Sequence, residues 1–286
     1  MEIRVENLNC SFNRGTPLER QALKNISFVV PSGKIVGILG LVGSGKTTLV
    51  RTLNGLLKPD SGRIVLGGAD ISKYGSDLRK KVALVFQHPE KQLFEETVFR
   101  DIAFPLINND DFSEEDVEVL VSKACSRVRL EIDEIRDRSP FELSSGEKRR
   151  VALAGALVND PEILILDEPA SDLDPPSLVT LKDFIRSFNN GGSRTVMIVS
   201  HEMDCFLSEL DLLLVIHEGQ EVCFGSIRKV CSELRNHSEL RRILPTVGLL
   251  VEELRSRNIS MPKDTFDLQS IRDSIVQAFR SGRLLN

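Results

Sequence analysis

The chain lacks what would mark an exported, membrane-spanning or strongly basic protein. Its five cysteines, Cys10, Cys125, Cys205, Cys223 and Cys231, include no C-x-x-C pair. That argues against a disulfide framework and for isolated reduced thiols in a cytosolic protein. His201 and Cys205 have a spacing that could hold a metal, but no second ligand pair accompanies them, so a zinc site is not expected. No apolar run reaches the roughly 18 residues needed to span a bilayer. Met1 to Cys10 does not read as a signal peptide. Any association with a membrane must then go through a partner. There is no basic excess: 37 Lys and Arg stand against 42 Asp and Glu, a net charge of -5, which is not the bulk charge of a nucleic-acid binder. Internal repeats and low-complexity segments are missing too. What remains is the composition of a soluble globular protein, 41% hydrophobic and 28% charged over 286 residues. That is enough for one large domain, or a large one with an appendage.

What is present is a complete G-x-x-x-x-G-K-[ST] loop, Gly40-Leu41-Val42-Gly43-Ser44-Gly45-Lys46-Thr47. Its glycines let backbone N–H groups curl around phosphate oxygens. Lys46 supplies a cation for the β- and γ-phosphates, and Thr47 offers a hydroxyl to Mg²⁺. The apolar run Ile35–Leu39 precedes the loop, and Thr48–Leu53 after it reads as a helix whose N-terminus adds partial positive charge. A plain glycine-rich turn does not explain that context.

Along the chain, alternation in Ile3–Glu6 and Ile26–Val30 predicts antiparallel strands, and Arg63–Leu66 before Gly67-Gly68 predicts another strand and turn. Val82–Phe86 reads as a buried strand, Thr97 to Leu130 as helical, and 145–158 as a further helix. Ile163–Leu166 suits a central parallel sheet. Strands at Thr195–Val199, Leu212–Ile216 and Glu221–Phe224 complete a domain near residue 225. Beyond it, Leu240, Ile243, Leu244, Val247, Val251 and Leu254 recur at helical spacing across Pro245, which separates two helices. After Met261-Pro262 a second amphipathic stretch carries Leu268, Ile271, Ile275, Val276 and Phe279. This tail either packs on the chain's own main domain or pairs with a second subunit.

Three further segments narrow the chemistry. Ile163-Leu164-Ile165-Leu166 ends in Asp167-Glu168, where one carboxylate can serve the Mg²⁺ water shell and the other the attacking water. Pro169 leaves a solvated acidic turn as the plainer account. Leu143-Ser144-Ser145-Gly146-Glu147 opens a helix with small residues, exposing N–H groups with Ser144 as an extra donor. One nucleotide has little use for two such sites in one chain, so the second implies a partner's ATP; a simple helix cap is the alternative. Ser200-His201-Glu202 follows a strand and places a histidine to sense the γ-phosphate, whereas alone it would read as a surface histidine.

With these residues, 1–225 resembles an ATP-binding-cassette (ABC) ATPase. The resemblance implies an α/β P-loop NTPase core with an antiparallel β subdomain, a helical signature subdomain at about 90–158 and a C-terminal helical extension, 226–286. It implies that ATP is held by Phe12, stacked on adenine, and by Gly40, Gly43, Ser44, Gly45, Lys46, Thr47 and Thr48. Ser144, Ser145, Gly146 and the D-loop residue Asp174 of Ser171–Asp174 join this set across a dimer. Mg²⁺ falls to Thr47, Gln87 and Asp167, and catalysis to Glu168, His201, Gln87 and Lys46. A narrower similarity, to energy-coupling-factor (ECF) ATPases of cobalt and vitamin uptake, lies in Arg14–Glu19, Phe86–Val98 and Arg138–Leu143. It also implies that the tail is a dimerisation extension.

The expected function is therefore an ATPase, a translocase subunit energising an ECF-type importer of a vitamin or transition-metal cation. It would sit peripherally on the cytoplasmic face of the cell membrane. Its partners would be a second ATPase subunit, a paralogue in preference to a copy, and a transmembrane coupling protein met near Gln87–Thr97. A substrate-binding membrane subunit would be reached indirectly, and no nucleic acid is expected. Ser145 stands where Gly is usual, Glu147 where Gln is usual, and Asp172 where a small residue is commoner. These departures keep open a regulatory subunit with a degenerate signature; a soluble, non-transport ABC ATPase is the other alternative.

Overall fold

The structure is a computed structural model describing residues 1–107, 112–201, 203–259, 261, 266 and 268–280. Glu202 and Pro262 of the sequence reading lie outside the described residues, as do parts of the expected helical stretches. In chain order the first half forms β1 (Ile3–Phe12), β2 (Arg20–Val30), β3 (Ile35–Leu39), α1 (Lys46–Leu53), β4 (Ser61–Leu66), β5 (Ala69–Asp70), α2 (Leu78–Lys81), β6 (Val82–Val85), α3 (Val98–Ile107) and α4 (Glu114–Arg127). The second half forms α5 (Ser145–Leu157), β7 (Ile163–Asp167), α6 (Pro175–Asn189), β8 (Thr195–Val199), β9 (Leu212–His217), β10 (Gln220–Gly225), α7 (Ile227–Leu234), α8 (Thr246–Ser256) and α9 (Leu268–Arg280).

Two sheets result. The alternating N-terminal strands make an antiparallel sheet of order β2-β1-β4-β5, and the apolar runs make a six-stranded sheet of order β10-β9-β3-β8-β7-β6. Within the latter, β9, β3, β8, β7 and β6 run parallel and β10 returns antiparallel to β9. The central strands read as unbroken apolar runs because both faces are covered. Leu164, Leu166, Val196 and Ile198 enter one core with the helices α3 to α6. Ile163, Ile165, Met197 and Val199 enter the other, with α1 and the antiparallel sheet. Each such side chain contributes about 1.5–3 kcal/mol on burial.

The tail packs on the main body. The Ser226 hydroxyl caps α7, whose Ile227, Val230, Cys231 and Leu234 are buried in the same core as β7 and β8. Pro245 does divide the apolar pattern, but the segment before it, Leu240–Ile243, is a single 3-10 turn and not a helix. Pro245 offers no side-chain cap to α8. The Asp204 carboxylate, brought from the segment after β8, accepts from Thr246 N–H at 2.9 Å and Val247 N–H at 3.0 Å.

One charge cluster ties the layers together. Asp160, after α5, is paired with Lys123 and Arg127 of α4 at 2.8 and 2.7 Å and with Arg194 before β8. Burial alone would raise its carboxyl, but these cations outweigh it and hold the group at about 2, against an ordinary 3.8. The stabilisation is therefore complete above the ordinary carboxylate range and disappears as pH falls through about 2. Asp160→Asn should cost about 1–2 kcal/mol at neutral pH after allowance for solvent screening. Denaturant unfolding at pH 7 checks this, and the gap from the unsubstituted chain should close towards pH 2.

Candidate nucleotide site

Because β3, β8 and β7 are adjacent and parallel, their carboxyl ends open on one edge. Ile38 of β3 and Asp167 of β7 both align with Val199 of β8. The phosphate loop, the Asp167-Glu168 pair and Ser200-His201 thus leave the sheet side by side. This is the crevice position where open α/β sheets bind ligands.

The loop is tightly held. Gly45 has φ 110°, and a Cβ there would lie 2.6 Å from the Ala22 carbonyl oxygen. At Gly40 a Cβ would collide with Ile216 O and Ser44 Oγ. Gly219, in the turn after β9, donates to Ser44 O at 2.9 Å and accepts from Lys24 N–H at 2.7 Å. The loop runs into α1, whose N-terminus has no side-chain cap, so its first N–H groups are left for an anion. Ser44 Oγ is buried with no hydrogen-bond partner, which fits a cradle for phosphate oxygens. Phe12, Gly43, Ser44, Gly45, Lys46, Thr47 and Thr48 line one cavity of ≈ 180 Å³.

Charge is concentrated beneath it. Lys46 Nζ donates to Gly40 O at 2.7 Å and Leu41 O at 3.1 Å. Burial pushes its ammonium below the ordinary lysine range, while Glu168 and Asp167 push it back up. Asp167 is 8% exposed; burial and the neighbouring Glu168 raise its carboxyl, with Lys46, Arg51 and a hydrogen bond from Thr47 opposing. A hydroxyl and a carboxylate in contact are the hard oxygen donors that suit Mg²⁺. Glu168 leaves the strand with φ 48°, and its N–H donates to Val199 O at 2.8 Å. Its carboxylate accepts from His201 Nδ1 at 2.8 Å, so acid and histidine form one unit at the strand ends.

Other expected residues lie apart from this cavity. Gln87 donates its amide to Ser171 Oγ at 3.3 Å, joining the two loops that flank the carboxylates. Asp174 is the N-cap of α6, accepting from Ser177 N–H at 2.9 Å, and that hydroxyl and N–H hold its carboxyl below the usual range. Ser144, Ser145 and Gly146 open α5, where the Ser144 side chain bonds only to Glu147 among the described residues. Arg149 on the same helix reaches the Pro169 carbonyl, just past Glu168. Two cavity residues were missed by sequence reasoning: Ala22, and Arg20, whose guanidinium donates to Gly43 O at 3.1 Å. Arg20 sits directly opposite Phe12 across the β1–β2 pair, so only the hairpin register could have revealed it.

Comparison with known proteins agrees with this geometry. Residues 23–171 match the family model described as ABC transporter. The energy-coupling factor transporter ATP-binding protein EcfA2 of Clostridium acetobutylicum is 38% identical over 286 residues, covering 99% of this chain and 100% of that one. Its counterpart from Caldanaerobacter subterraneus subsp. tengcongensis is 41% identical over 283 residues, covering 98% of each. Among solved structures, cbiO1 of Clostridium perfringens, described as part of the ABC transporter complex cbiONQ, superposes with a TM-score of 0.70. It is 34% identical and covers 87% of this chain and 98% of its own. The chain belongs to the ABC transporter family, within its energy-coupling factor transporter ATP-binding proteins, whose reaction is ATP hydrolysis.

Proposed function

We propose that this chain is the ATP-hydrolysing subunit of an ECF-type importer of a vitamin or a transition-metal cation, seated on the cytoplasmic face of the membrane through a coupling protein. The observation that carries this reading is the single edge where Lys46, Asp167, Glu168 and His201 meet under a cradle of N–H groups. ATP would lie with adenine on Phe12 and its phosphates in Gly40–Thr48. Thr47 and Asp167, joined by Gln87, would hold Mg²⁺, which supplies charge neutralisation between the β- and γ-phosphates when bound. Glu168 would take a proton from the attacking water, with His201 fixing the carboxylate's orientation. Ser144, Ser145, Gly146 and Asp174 would complete the nucleotide site of a second ATPase subunit, a paralogue in preference to a copy.

Two exposed surfaces support the partner assignments. Phe94 and Phe104 stack edge to face at 4.8 Å, and both are exposed beside the Gln87–Thr97 segment. That segment is shaped by Asp101, which accepts from Phe94 and Glu95 N–H groups at 2.8 and 3.0 Å. We assign this surface to the coupling protein. On α9, Ile271 and Ala278 are buried while Leu268 and Phe279 are 69% and 63% exposed; this open face supports reading 226–286 as a dimerisation extension attached to the 1–225 ATPase unit and its 90–158 helical part. The regulatory reading draws on Ser145 and Glu147, and the activity of the assembled complex separates it from the main one.

Glu168→Gln should slow turnover by about two to four orders of magnitude while retaining ATP binding, as expected on losing a general base. Lys46→Ala should weaken nucleotide binding itself; calorimetry showing unchanged affinity would remove the cradle assignment. Purification of the tagged chain from detergent-solubilised membranes should recover a second ATPase and a membrane protein. Phe279→Asp combined with Leu268→Asp should release the ATPase partner and leave nucleotide affinity unaltered. Recovery of no membrane protein would sink the transporter reading.

A further inference from the structure

The signature helix α5 begins with the donors of Ser144 already engaged. One carboxylate oxygen of Glu147 accepts from the Ser144 N–H at 2.9 Å and from the Ser144 hydroxyl at 2.6 Å. The Glu147 N–H in turn donates to Ser144 Oγ at 3.3 Å. α4 starts in the same way, with Ser113 and Asp116, so the arrangement is an ordinary means of starting a helix. On α4 it has no second consequence. On α5 it falls on the serine that would meet a neighbour's γ-phosphate. The hydroxyl proton that a phosphate oxygen would accept is already given to a carboxylate. Arg138 and Arg150 stand close enough to support the Glu147 charge, and the Ser144 bonds hold its carboxyl below the usual glutamate range.

We propose that Glu147 is a built-in anion competing with the partner subunit's γ-phosphate for Ser144, which makes this half of the shared site the weaker one. The inference rests on the two-subunit reading above and deepens it. Two anions cannot share one hydroxyl proton and one helix N-terminus, so seating the γ-phosphate requires the Glu147 carboxylate to turn away. Their mutual repulsion adds to the cost. A glutamine at this position would still accept from the Ser144 N–H, but it carries no charge and is a weaker acceptor for the hydroxyl. The extra Cβ of Ser145 narrows the same approach. ADP, lacking the γ-phosphate, is indifferent to the competition.

The test uses the full complex purified with this chain, comparing the unsubstituted protein with Glu147→Gln and Ser144→Ala. Glu147→Gln should lower the ATP concentration for half-maximal hydrolysis by about five- to tenfold, consistent with removing one charge beside the phosphate. ADP affinity should not change. Ser144→Ala should raise the half-saturating ATP concentration. If Ser144→Ala does so while Glu147→Gln leaves ATP dependence unchanged and only lowers the melting temperature, Glu147 is a helix cap alone and the proposal is overturned. If Ser144→Ala has no effect on hydrolysis, the shared-site reading fails and the competition fails with it.

Discussion

The ammonium of Lys46 is the charge around which the carboxyl edge of the parallel sheet is arranged. Burying it is costly unless it is compensated; it donates to two carbonyls of its own loop, and the negative charges of Asp167 and Glu168 favour its charged form. Asp167 is itself withdrawn from water, and the neighbouring Glu168 raises its cost of ionisation further, which Lys46 relieves. Neither Lys46 nor Asp167 is comfortable alone. A polyphosphate with its metal fits this balance because it brings both signs of charge to the same place.

A second theme is the use of a side-chain oxygen, accepting from backbone N–H groups, to start several of the helices. Ser113, Ser144, Asp174 and Ser226 cap helices from the immediately preceding position. α8 cannot do so, because Pro245 has no polar side chain, and it is served from 42 positions upstream by Asp204. That carboxylate lies just beyond His201, so the tail is fastened to the segment that leaves the carboxyl edge of the sheet. Arg149 makes a comparable fastening between α5 and the turn after Glu168. Glu168 is thereby flanked by attachments to two outer elements of the protein.

How much of this could be read from the chain depended on the range of the interactions involved. β3, β7 and β8 were legible because burial on both faces leaves continuous apolar runs bounded by turn residues. The residues of the cradle were legible because one loop contains them. α7 has the right periodicity in Ile227, Val230, Cys231 and Leu234, but eight residues are too few to separate a helix from a loop by pattern. The segment before Pro245 shows helical spacing and forms only one 3-10 turn, since the proline forces Leu244 into an extended conformation that ends it. Arg20 and Asp204 were invisible for the opposite reason: each acts on a residue remote in sequence, through a strand register or a loop approach that no local pattern records.

The order of strands also fixes when the site can exist. β3 carries the phosphate loop at its end, yet both of its neighbours come late: Ile35 pairs with Val196 and Val36 with Leu212. During synthesis from the N-terminus, the complete loop emerges before either sheet neighbour of β3 exists, with only β2 beside it. At ordinary elongation rates that interval lasts on the order of ten seconds. ATP therefore cannot template the early stages of folding in this chain. It acts on a nearly finished polypeptide, and any nascent or broken chain ending before β8 carries the full phosphate-loop sequence without the capacity to use it.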